Sequence, residues 1–94
     1  MPTLHIEHAI SDLTTWKQAY DRFAEKRSSA GVTAARLHQP ADDANYIVLQ
    51  LDFPSVAQAA GFKGFLEASV WTSPDRSPGL VGIPRARILL ETAL

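Results

Sequence analysis

The chain has 94 residues, of which 46% are hydrophobic and 20% charged. That is the balance of one small globular domain rather than of a disordered or membranous segment. Nine Lys and Arg against ten Asp and Glu give a formal net charge of -1, and no basic run reaches three residues, so nucleic acid and anionic membranes are not expected partners. The lack of cysteine excludes disulfides, thiolate metal ligands and cysteine nucleophiles. With no leader-like N-terminus and no apolar stretch near ~20 residues, the expected location is cytoplasmic.

Residues 3–9 alternate, placing Leu4, Ile6 and His8 on one side and Thr3, His5 and Glu7 on the other, which predicts a first strand. Ser11 or Asp12 then caps a helix. Leu13, Trp16, Tyr20 and Phe23 recur at spacings of three and four, and Ala24 and Arg27 continue the line. This is one apolar stripe on an amphipathic helix, with Gly31 at its C-terminal end. A second strand is expected over residues 32–39, its facing left open by Ala34-Ala35 and Arg36-Leu37. Pro40, Asp42, Asp43 and Asn45 are turn residues, and they lead into the strongest strand of the chain, residues 45–53. Ile47, Leu49, Leu51 and Phe53 point one way there, and Tyr46, Val48, Gln50 and Asp52 the other.

Ser55 with Gln58 forms a capping-box pattern at the start of a helix expected over residues 56–70. Gly61 and Gly64 within it each cost about 1 kcal/mol against Ala, and close approach of another helix is the expected compensation. Residues 71–82, rich in Ser and Pro, read as a loop. Residues 85–91 form a last strand with Ala86, Ile88 and Leu90 on one side and Arg85, Arg87 and Glu91 mainly on the other. Glu7 and Arg87 are expected to pair across neighbouring strands.

The order β-α-β-β-α-β predicts a single α+β domain over residues 1–94. Right-handed connections give an antiparallel four-stranded sheet in the order 4-1-3-2, with both helices on one face. The other face is too apolar for water and too polar for a closed core, so a second copy of the chain is expected to cover it. This topology gathers His8, Trp16, His38, Tyr46, Arg85 and the 71–82 loop at one end. A cleft lined by Trp16, Tyr20, Phe23 and Trp71 would take a small flat aromatic ligand. His8, on the helix-facing side, is the candidate base. Arg36, if turned inward, would hold an enolate or phenolate oxygen, and His38 would join it as a ligand contact.

Plain structural roles compete with each of these. Aromatic residues at helical spacing are core by default, a strand-end histidine often bonds backbone, and Arg36 and His38 suit an interface equally well. No metal is expected, because His5 and His8 lie an odd number apart on a strand and point to opposite faces. No serine has a His/Asp partner identifiable by spacing, and no glycine-rich phosphate loop is present, so hydrolase chemistry and nucleotide cofactors are not expected.

Trp16-Lys17, Gly31-Val32, the acidic turn Asp42-Asp43-Ala44-Asn45, and Val81-Gly82-Ile83-Pro84 leading to Arg87 together form a pattern. It resembles small dimeric α/β-barrel proteins related to antibiotic-biosynthesis monooxygenases and to cyclase-like relatives. Ala44 departs from it, standing where that turn carries proline. The resemblance implies a ferredoxin-like protomer, a homodimer, and a pocket between helices and sheet. It also implies a cofactor-independent monooxygenase or cyclase acting on an aromatic or polyketide-like molecule. The alternative is a homodimer that binds a ligand without catalysis or serves a structural role, since one fold carries many functions.

Overall fold

Period-two alternation builds the sheet, and a computed structural model of the chain describes residues 1–93 of it. Four strands, β1 (Thr3–Ile10), β2 (Ala34–His38), β3 (Tyr46–Asp52) and β4 (Leu80–Leu89), form one antiparallel sheet in the order β2-β3-β1-β4. This is the expected arrangement. Leu4, Ile6 and His8 on β1 and Ile47, Leu49 and Leu51 on β3 are buried on one face, and Phe53 beyond β3 joins them. The helices α1 (Leu13–Arg22), α2 (Ala24–Ala30) and α3 (Val56–Phe65) supply the rest of the core through Trp16, Ala19, Ala59 and Phe62.

The helix starts follow local chemistry. Asp12 rather than Ser11 is the first cap, its Oδ2 accepting from the Thr15 N–H at 2.9 Å. At α3, Ser55 Oγ accepts from the Gln58 N–H at 3.2 Å and donates to Gln58 Oε1 at 2.9 Å. Gly31 ends α2 with φ 98, a left-handed backbone that favours glycine.

Several expectations need correction. The first helix is two, broken at Phe23, whose ψ of 15 ends the α-helical run. The Tyr20 carbonyl there accepts from the Phe23 N–H and from the Arg27 guanidinium. The last stretch of the second helix is a π-helical turn, Leu66–Val70, closed by the Trp71 N–H donating to the Leu66 carbonyl at 2.8 Å. β4 begins at Leu80, so the loop is shorter than expected. Glu7 faces Arg85 and Ala9 faces Val81, so two extra β4 residues bulge opposite His8. Gly82 (φ 74) and Pro84 lie in that bulge, where alternation fails and hides the strand from a period-two reading. Leu90, expected on the apolar side, lies beyond β4 and is 65% exposed. The close approach expected at Gly61 and Gly64 is absent, because a Cβ at either would meet nothing within 4 Å.

The face of the sheet away from the helices carries a hydrogen-bonded polar lattice. Arg36 grips Asp52 with two bonds of 2.9 Å, and Thr3 adds a third at 2.7 Å. Glu7 accepts from the Tyr46 hydroxyl at 2.8 Å and meets His5 Nε2 at 2.8 Å. The register places Arg85, not Arg87, opposite Glu7, so the expected Glu7–Arg87 pair is not formed. Among the described residues no helix is long and apolar enough to cross a membrane.

Candidate functional site

Between the sheet and the helices lies a partly open cavity of about 70 Å³. β1 supplies Ile6 and His8, α1 supplies Trp16, Ala19 and Tyr20, and Phe23 stands at the helix break. The π turn and the segment after it supply Leu66, Trp71, Arg76 and Ser77. The wall is mainly apolar, with few polar groups, as in small-molecule sites generally. The space is small beside the several hundred Å³ of a typical small-molecule site.

His8 is the buried polar side chain of the core, 4% exposed. Its Nδ1 lies 2.8 Å from the Ala9 carbonyl oxygen. A carbonyl only accepts, so Nδ1 carries the hydrogen and Nε2 holds the lone pair. The described residues give Nε2 no hydrogen-bond partner, yet none of their fully buried polar side-chain atoms lacks one. Nε2 is therefore accessible rather than sealed in the core. Burial pushes the imidazole pKa below its ordinary value of 6.5, only partly opposed by the Ala9 carbonyl, which keeps the ring neutral at pH 7. The Trp16 ring lies 6.4 Å from His8 and stacks on Tyr20 at 5.2 Å. The arrangement offers an aromatic wall and one neutral, oriented base.

Of the residues singled out from the sequence, His8, Trp16, Tyr20, Phe23 and Trp71 line this one cavity. Arg36 and His38 do not join them. They share the opposite face of the sheet with Gln50 and Val48, their partners in register, and both are exposed. Arg36 is not turned inward because Asp52, two residues from Gln50 on the same face of β3, takes its guanidinium. Arg27, Arg76 and Ser77 line the cavity without having been singled out. Arg27 carries a sequence signal, a charged residue continuing the apolar stripe of α1. Arg76 and Ser77 sit in a segment without periodicity, where no such signal exists. Among the described residues no cluster of three or more His, Asp or Glu could hold a metal ion.

No family model matches the sequence, and no curated protein does. Solved structures match along nearly the whole chain. A provisional antibiotic-biosynthesis monooxygenase from Nitrosomonas europaea is 20% identical with a TM-score of 0.68, covering 99% of this chain and 100% of that one. A monooxygenase from Streptomyces coelicolor, in complex with nanaomycin D, is 16% identical with a TM-score of 0.65, covering 99% of this chain and 88% of that one. A dimeric ferredoxin-like protein from an uncultured marine organism is 9% identical with a TM-score of 0.60, covering 98% and 97%. At such identities the likeness speaks for architecture alone: this chain has the ferredoxin-like α+β fold found in antibiotic-biosynthesis monooxygenases and dimeric ferredoxin-like proteins.

Proposed function

We propose that the chain forms a homodimer whose protomers each bind a small hydroxylated aromatic or polyketide-like molecule beside His8, and that His8 begins its conversion by removing a proton. The observation that carries this reading is the neutral His8, anchored at Nδ1 and open at Nε2, on the wall of a mainly apolar cavity. An aromatic wall binds a flat ring, and a general base within reach of its hydroxyl or activated C–H generates an electron-rich anion. Such an anion reduces dioxygen directly. A ring CH₂ becomes C=O, one oxygen atom stays in the product, and the other leaves as water with the two hydrogens. No reductant or cofactor is consumed. Ring closure from the same anion is the cyclase variant. The nanaomycin D complex of the Streptomyces coelicolor neighbour supports the aromatic ligand class.

The dimer reading rests on the open sheet face. Val48 and Leu89 share it with polar groups that already bond one another, namely Arg36 with Asp52 and Glu7 with Tyr46 and His5. Polar groups satisfied within their own chain lose little on burial.

Two measurements test the reading. Oxygen uptake with a panel of hydroxylated polycyclic aromatics should be supported by the native protein and fall about 10²- to 10⁴-fold in His8→Ala, with the fold retained. Undiminished turnover in that variant would remove His8 from the mechanism. A second reading, favoured by the small cavity volume, is a non-catalytic dimer in which these aromatics are core. It predicts that no aromatic probe moves the indole N–H resonances of Trp16 and Trp71 in an NMR titration.

A further inference from the structure

Asp and Glu make up ten of the 94 residues, yet among the described residues none of them lines the cavity, whereas two arginines do. We propose that the cavity selects aromatic molecules bearing an oxyanion, a carboxylate or an ionised phenol, held by Arg76 at its mouth and Arg27 on its wall. This rests on the aromatic-binding reading above and narrows its substrate class.

Arg76 is the exposed member of the lining, which places it at the mouth. Its Nη1 donates to the Ser69 carbonyl at 3.1 Å, and among the described residues that is the bond its guanidinium makes. Arg27 is part-buried, donates from Nη1 to the Tyr20 carbonyl, and lies over the Tyr20 ring with its Cζ 3.4 Å from the centroid. A guanidinium offers five N–H donors in a fixed fork, so each keeps most of them for a ligand. Among the described residues the ion pairs are His5–Glu7, Arg36–Asp52 and Lys63–Glu67. Neither Arg27 nor Arg76 belongs to one. Arg36 shows what a satisfied arginine looks like in this chain, with both terminal nitrogens on one carboxylate.

The bland alternative is that Arg27 only braces the helix break. That accounts for one of its N–H groups and leaves Arg76, on a separate segment of chain, unexplained. His8 is neutral and adds no charge of its own, so the two guanidiniums set the sign of the potential in the cavity. An anion entering an apolar cleft loses hydration, and a guanidinium fork replaces it with short, charge-assisted bonds.

The experiment compares 2-naphthoate with its neutral isostere 2-naphthamide, following the indole N–H resonances of Trp16 and Trp71 in the native protein and in Arg76→Gln. The native protein should bind the acid about tenfold tighter than the amide, and added salt should weaken the preference. Arg76→Gln should weaken the acid about three- to fivefold, as for a part-exposed charge contact, and leave the amide unchanged. Equal binding of acid and amide, or equal weakening of both in Arg76→Gln, would overturn the oxyanion inference while the aromatic-binding reading stands. Failure of both probes to shift either indole would overturn the two together.

Discussion

A single imidazole carries most of the chemistry available to this chain. Because burial lowers its pKa, the folded protein binds a proton at His8 less readily than the unfolded chain does. Stability from this group is therefore complete above the ordinary histidine pKa of about 6.5 and is lost as pH falls through that value toward the folded one. Thermal unfolding should show a lower Tm at pH 5 than at pH 7.5, and His8→Gln should flatten that dependence. Turnover by a histidine base should persist through that window and decline only as pH falls through the lowered pKa of the folded state. A second acid-sensitive group lies across the sheet. Arg36, with help from Thr3, holds the Asp52 carboxyl at about 2. Its contribution is present above about pH 4 and disappears as pH falls toward 2, so Asp52→Asn should remove that later loss and leave the His8 window untouched. His8 was legible in the sequence from the alternation of β1. Its tautomer was not, because that depends on the carbonyl of Ala9 folding back to within hydrogen-bond distance.

Among the elements, α3 holds the most readily improved residues. Gly61 and Gly64 have ordinary helical backbone and open space where a Cβ would stand. Replacing either with Ala should stabilise the protein by about 0.5–1 kcal/mol, measured by urea unfolding. Gly79 is the opposite case. Its φ is +87, and a Cβ there would lie 3.2 Å from the Trp16 backbone nitrogen. Gly79→Ala should destabilise the chain and shift tryptophan fluorescence, because the end of the 71–79 segment rests on α1. The π turn matters for the same region. Its extra residue per turn brings both Leu66 and Trp71 to the cavity, as π turns do at many binding sites. Sequence periodicity predicts a helix over residues 56–70 and cannot distinguish the π turn, which alters the hydrogen-bond ladder without interrupting the helical run. The break at Phe23 was hidden for a related reason, since the stripe of Trp16, Tyr20 and Phe23 continues smoothly into α2.

For the whole molecule the deciding question is what covers the second face of the sheet. Sedimentation at micromolar concentration should give twice the chain mass of 10.3 kDa. A charge placed at the centre of that face, Val48→Asp, should yield monomers with the far-ultraviolet circular dichroism retained. A native protein that sediments as a monomer at high micromolar concentration would leave the sheet face without its proposed partner. Trp16, 9% exposed and stacked on Tyr20, belongs both to the core and to the cavity wall. Trp16→Ala should cost roughly 3–5 kcal/mol and abolish aromatic binding together.

The sequence by itself determined the strand order, the helix-bearing face and the five residues His8, Trp16, Tyr20, Phe23 and Trp71 that meet in one cavity. Alternation and helical spacing are local periodicities, and few right-handed arrangements satisfy them together. Tertiary structure alone decided that Arg36 and His38 belong to the open face, because the register of β2 against β3 and the grip of Asp52 set their direction. It alone brought Arg27 and Arg76 to the cavity, since one continues a stripe that reads as core and the other lies where the chain has no period. The β4 bulge opposite His8 was likewise invisible, for a bulge is two strands falling out of step and no single strand records it.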